Sequence, residues 1–147
     1  MNLFKFVKDA GEKLSGSVAG AASAIKERVT GHKIDVKDLD VSQEGEKVIL
    51  KGTAKTQEEA EKAIIAAGNN AGVAEVVSHI TVEEEAPQAV FYTVVSGDSL
   101  SKIAKAQYGN AMKYPVIFEA NKPMLSHPDK IYPGQVLRIP PLDGASA

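Results

Sequence analysis

The 147-residue sequence has no cysteine and no tryptophan, and aromatic residues make up only 5% of it. Without thiols the chain can hold neither a disulfide nor a thiolate metal centre, which excludes a small secreted scaffold stapled by bridges. Long apolar runs are missing too: nothing approaches the roughly eighteen uninterrupted residues of a membrane-spanning helix. The opening MNLFKFVKDAGEKL places Lys5, Lys8 and Asp9 where a secretory signal needs an apolar core, so a cytoplasmic location is expected. Charge of one sign is also scarce. The formal net charge is -2, with 11 basic and 15 acidic groups in residues 1–90 and 6 and 4 in residues 91–147. A dense Lys/Arg stripe, the usual footprint of phosphate binding, is absent, which argues against a nucleic-acid partner.

What remains is a chain that is 44% hydrophobic, enough to bury the core of one ordinary domain or of two small ones. Leu3, Phe6, Val7, Ala10 and Leu14 fall at helical spacing, so a short amphipathic N-terminal helix is expected. The Gly, Ala and Ser-rich stretch GEKLSGSVAGAASA follows. Val18, Ala22, Ile25 and Val29 then share a helical face, with Gly31 placed as a C-terminal cap. KIDVKDLDV and EKVILKGTA, separated by a turn at QEGE, read as an antiparallel strand pair. Thr56 and Glu59 have capping-box spacing at the start of a helix whose apolar face is Ala60, Ala63, Ile64 and Ala67, and Gly68 is placed to end it. VAEVVSHITV supplies a further strand, with Val76, Ile80 and Val82 on one side. The acidic run Glu83 to Glu85 and the following AlaProGlnAla form a solvated linker. Beyond it lie a strand, two helices and a strand, with Pro115 tolerated in the first turn of the second helix.

Residues 91–140 carry YTVVSGDSLSKIA, YGN, IFEANK and IYPGQVLRIP, and over this whole length the chain resembles a lysin-motif (LysM) domain. Gly97 and Asp98 form a turn in which Asp98 or Ser99 caps a helix, and Leu100, Ile103 and Ala104 face the core. Asn121 ends the second helix, and Pro133 with Gly134 turns the chain into the last strand. Residues 22–82, with GNNAGVAEV at a helix-to-strand junction, resemble a BON domain. The two together, after the opening LFKFVKDAGEKL, are similar to the bacterial cytoplasmic potassium-binding protein family. Residues 15–40 depart from that family by being shorter and richer in Ala and Gly, and Pro115 is a second departure.

The expected fold class is therefore α+β in two small domains, an N-terminal BON-like α/β sandwich and a C-terminal βααβ LysM domain. The boundaries expected are 1–85 for the N-terminal helix and BON domain, 86–90 for the linker, 91–141 for the LysM domain and 142–147 for a tail. The resemblance implies a K+ sensor or binder in which the ion closes the BON domain and the N-terminal helix against the LysM domain. Family LysM modules often hold N-acetylglucosamine-containing glycans. The alternative reading is thus a peptidoglycan-binding protein of the cell envelope or spore, with a groove at Gly97, Asp98, Ser99, Asn121 and Pro123. A further protein partner stays open.

Catalytic chemistry has little support. His32, His79 and His127 lack any ligand-like spacing, and Ser96, Ser99 and Ser101 have no accompanying base, so no enzyme activity is expected. Asp38, Asp40, Ser42 and Glu44 alternate like a calcium loop, yet Gln43 stands where that loop needs Gly and Ile49 where it needs its bidentate acid. An acidic strand and hairpin is the reading preferred.

K+ has no side-chain signature, because a large, weakly hydrated cation is well served by backbone carbonyls. Helix ends offer unpaired carbonyls at the negative end of the dipole, and Gly-containing turns let several converge. Two segments qualify, FVKDAG and GNNAGV. Main-chain carbonyls of Val7, Ala10, Gly68, Asn70 and Val73 are accordingly expected to surround the ion, with the Asn70 side chain of little consequence unless it shapes the turn. Gly68 and Gly72 serving only as a cap and a turn is the competing reading.

Overall fold

The computed structural model describes residues 2–6, 21–31, 33–70, 73–84, 86, 88–122 and 124–141. The chain divides into two compact units, residues 1–86 and 87–147. Helices and strands are mixed without regular alternation, so the class is α+β.

The first unit is a four-stranded sheet with two helices. Its strands are β1 (Asn2–Lys5), β2 (Val36–Glu44), β3 (Lys47–Thr56) and β4 (Glu75–Glu84), and its helices are α1 (Ala21–Gly31) and α2 (Gln57–Gly68). The order across the sheet is β1-β4-β3-β2. β2 and β3 form the antiparallel hairpin expected from sequence, turned at Gly45 in the left-handed region (φ 64°). β3 and β4 run parallel, joined through α2, with Val48 beside Val76 and Leu50 beside Ser78. On β3, buried Val48, Leu50 and Ala54 alternate with half-buried or exposed Ile49, Lys51 and Lys55, so one sheet face is covered and the other is wet. Ile25 and Val29 of α1 and Ala60, Ala63, Ile64 and Ala67 of α2 complete this core.

The N-terminal segment corrects the sequence reading. Residues 2–5 are a strand, not a helix, and pair antiparallel with β4 in the register Leu3 to Val77 and Phe4 to Val76. The period is two: Phe4 and Phe6 are buried, Leu3 and Lys5 exposed. Helical spacing omits Phe4, and it cannot show that β4, some seventy positions on, has an edge needing a partner. The rest of that segment lies outside the described residues. So do the Val18 position and the side chain of Ala22.

Two glycines read as caps have other roles. Gly31 and Gly68 both belong to their helices, and neither has positive φ; after α1 the left-handed residue is Lys33 (φ 59°). Asp38, Asp40, Ser42 and Glu44 lie on the edge strand β2, where a bulge between Lys37 and Asp40 puts Asp38 at φ 55°. Opposite it, a Cβ on Gly52 would meet the Lys37 carbonyl and Val36 Cγ1 at 2.8 Å, so the bulge and this glycine require each other.

The capping box is half made. Thr56 Oγ1 accepts from Glu59 N at 3.2 Å, but Glu59 Oε2 accepts from Asp35 N at 2.8 Å, tying the N-terminus of α2 to the chain entering β2.

The second unit contains β5 (Val90–Thr93), α3 (Leu100–Tyr108), a 3₁₀ turn (Ala111–Lys113), α4 (Tyr114–Ala120) and β6 (Val136–Ile139). β5 and β6 pair antiparallel, Val90 against Ile139. Val94, Leu100, Ile103, Ala104, Ile117, Leu125, Leu137 and Ile139 form its core. Pro115 sits in the first turn of α4, as its missing N–H requires. Ser99, not Asp98, caps α3 by accepting from Lys102 N at 3.2 Å. Gly109 (φ 78°) closes the far end of that helix.

Asp98 is used differently: its Oδ2 accepts from Tyr92 Oη at 2.6 Å and from Val95 N at 3.0 Å. The Tyr92 hydroxyl first, then the Val95 N–H, hold the carboxyl below its ordinary value, while the same bond and burial raise the Tyr92 phenol. A carboxyl lowered on folding contributes stability above its unfolded pKa that is lost as pH falls through the folded one; a raised phenol contributes below its unfolded pKa and loses it as pH rises. Tyr92→Phe should therefore flatten the acid limb of the unfolding profile from about pH 5 downward and remove Tyr92's share of the alkaline loss, leaving that of Tyr108, whose phenol burial also raises. Urea titrations of both proteins across pH check this, and parallel acid limbs would refute it.

Candidate cation site

Gly68, Asn70 and Val73, the described members of the expected carbonyl set, lie at and just beyond the α2 C-terminus. The last four carbonyls of a helix have no partner within it. Here Ile65 O accepts from Asn69 N at 3.0 Å. Ala66 O and Ala67 O accept from one group, the Asn70 side-chain amide, at 2.8 and 2.7 Å. The fourth, Gly68 O, receives no donor among the described residues. Asn70 has no exposed surface, and its own carbonyl accepts from Val73 N at 3.1 Å, just ahead of β4. Among the described residues that leaves one lone pair on Asn70 O. Val73 is 1% exposed, and Ala74 N donates to Glu46 O at 2.8 Å, so the hairpin turn fixes the far side of the loop.

β1 brings the N-terminal segment to this same place. Phe6 N donates to Ala74 O at 2.8 Å, and its ring lies over Gly68, where a Cβ would stand 2.1 Å from the ring Cζ. The glycine is required by close approach, not by backbone conformation. Val7 and Ala10, the other two expected ligands, lie outside the described residues. Gly68, Asn70 and Val73 are brought together, with the backbone of Phe6 tied to the residue after Val73.

One atom here has no counterpart in the sequence reading. Asn70 Oδ1 is buried and makes no hydrogen bond among the described residues. Its identity as oxygen follows from the partners of the other amide atom, because two carbonyls can only be met by the NH₂. A buried acceptor without a donor costs on the order of 1–3 kcal/mol, and a cation is one of the few partners that would relieve it. The donor set is neutral throughout. Among the described residues no group of three or more His, Asp or Glu side chains is arranged to hold a metal ion. A strongly hydrated divalent ion prefers carboxylates; a large monovalent ion does not need them.

The alternative groove fares unevenly. Gly97 (φ 91°) is exposed in its turn, Asp98 is engaged by Tyr92, and Ser99 caps α3. Asn121 is 1% exposed: its amide donates to Ile117 O and Arg138 O, and its Oδ1 accepts from Arg138 N. Its side chain is a clasp inside the second unit, with both amide hydrogens and one lone pair of Oδ1 engaged there. Pro123 lies outside the described residues. A cleft of about 310 Å³ does open beside Ser99, lined also by Ser101, Tyr114, His127 and Asp129. His127 and His79 are both exposed, and His32 lies outside the described residues.

Family models place the two units in a class: a BON domain matches residues 17–84 and a LysM domain residues 92–140. Over nearly the whole chain the similarity is more particular. The potassium binding protein Kbp of Escherichia coli O6:H1 (strain CFT073) is 47% identical over 147 residues, covering 95% of this chain and 99% of that protein. An uncharacterized protein of Deinococcus radiodurans is 40% identical over 113 residues, 69% of this chain but 44% of its own length. The chain belongs to the family of the potassium binding protein Kbp. Among the described residues no helix is long and apolar enough to cross a membrane.

Proposed function

We propose that this chain is a cytoplasmic K+-binding protein, without enzymatic activity, that holds the ion at the α2 C-terminus. The observation that carries this reading is a buried set of neutral oxygens, Gly68 O, Asn70 O and the unpartnered Asn70 Oδ1, built by the chain that is 47% identical to a potassium binding protein. The main-chain carbonyls of Val7, Ala10, Gly68, Asn70 and Val73 supply the ligands, since a large cation needs roughly six or more oxygens and one helix end cannot present them all. K+ is the cofactor in the sense of a bound ligand only. Neutral oxygens also favour a weakly hydrated ion, because they replace little of the hydration energy that Na+ or Ca2+ would give up.

Calorimetric titration of ion-free protein with K+, Na+ and Ca2+ tests the function. Saturable heat with K+, and much weaker binding of Na+, is the expected result. Equal heats for K+ and Na+, or none for K+, would overturn it. The cleft beside Ser99 favours a second reading, binding of an N-acetylglucosamine polymer by the LysM unit. Pull-down on purified peptidoglycan decides that reading independently of the ion.

A further inference from the structure

We propose that the Asn70 side chain is itself part of the ion site, donating to the helix with one end of its amide and ligating the cation with the other. This inference rests on the K+ reading above. Its geometry does not come from the backbone: Nδ2 spans Ala66 O and Ala67 O at 2.8 and 2.7 Å, which occupies the two carbonyls that would otherwise compete for the same ion. Of the four terminal carbonyls, Ile65, Ala66 and Ala67 thereby have donors, and Gly68 O is the one left to ligate.

The same two bonds fix the amide plane. Oδ1 must point away from Ala66 O and Ala67 O, and it does so with no surface exposure and no hydrogen-bond partner among the described residues. A side chain held this firmly, with its strongest acceptor left empty, is preorganised: the cost of ordering it has been met by folding and not by ion binding. An amide oxygen is also the side-chain group most like a backbone carbonyl in charge and polarity. The ligand sphere stays neutral, which a carboxylate at this position would not allow. Asn70 is therefore a selectivity element as well as a ligand, and the residue type matters where a purely main-chain site would tolerate any side chain.

Three proteins and one isotope label test this. Asn70→Ala removes both functions and should weaken K+ binding about ten- to a hundredfold, the loss of one hydrogen-bond-strength contact to a charge. Asn70→Asp keeps an oxygen near the Oδ1 position but adds a charge, and should shift preference from K+ toward Na+ and Ca2+. In wild-type protein, where folding is not at issue, the Asn70 side-chain ¹³Cγ resonance should move on K+ addition with the saturation curve measured by calorimetry, while the Nδ2 protons stay protected. The failures are distinguishable. If wild-type protein gives no K+ heat, the functional reading is wrong. If it binds K+ while ¹³Cγ does not move, or Asn70→Ala binds K+ as wild type does, the side chain is no ligand and this inference is wrong.

Discussion

Gly68→Ala is expected to destabilise the protein by about 2–3 kcal/mol, although alanine in place of a helical glycine ordinarily gains close to 1 kcal/mol. The sign is decided by Phe6. A Cβ on Gly68 would lie 2.1 to 2.3 Å from three ring carbons, far inside contact distance, and the ring is only 8% exposed with its backbone bonded to Ala74. It cannot swing aside without leaving its buried position. Its displacement forfeits much of the burial energy of an aromatic side chain, about 1.5–3 kcal/mol. Gly68→Val adds two methyls and should be worse. Because Phe6 lies one residue before Val7, both variants should also weaken K+ binding. The control is a double-mutant cycle: in a Phe6→Ala background the ring is gone, so Gly68→Ala should become neutral or stabilising. Urea unfolding of the four proteins measures the coupling. Additive effects would show that Gly68 and Phe6 do not meet.

This glycine also shows where the sequence could be read and where it could not. Its position at the end of a helix was legible from the capping pair Thr56 and Glu59 and the Ala60, Ala63, Ile64, Ala67 face, all local features within one element. Its reason was not, because the ring that forbids a side chain comes from the other end of the domain. The same division recurs. The β2–β3 hairpin and the LysM turns are encoded by neighbouring residues and stand as expected. β1, the bulge at Asp38 against Gly52, and the bond from Glu59 to Asp35 all depend on partners from another element, and periodicity cannot supply them. In the candidate site, Asn70 was legible as a member of a carbonyl-rich turn. Its side chain's role was not, since only the two helix carbonyls show which way the amide faces.

The second large effect is expected at Asn121. Asn121→Ala removes the amide that donates to Ile117 O at 2.7 Å and Arg138 O at 2.9 Å and the oxygen that accepts from Arg138 N at 2.7 Å. All three partners are inside the second unit, and Arg138, 4% exposed, uses its guanidinium on Ala120 O and cannot take the place of the lost group. Each buried group left without a partner costs about 1–3 kcal/mol, so a total near 3–5 kcal/mol is expected, comparable with the whole stability of so small a domain. The clasp joins the end of α4 to β6, so its loss should release the β5–β6 pair. Hydrogen exchange reads this directly: amides of Val136 to Ile139 should lose protection while those of β3 and β4 keep theirs. Asn121→Asp keeps the acceptor for Arg138 N but sets a carboxylate oxygen against Ile117 O and Arg138 O, so it should destabilise at least as much as the alanine variant. The proposed ion ligands all belong to the first unit, so Asn121→Ala should titrate with K+ as wild type does. A large fall in K+ affinity with β3 and β4 still protected would place part of the ion site in the LysM unit and overturn the ligand set proposed here.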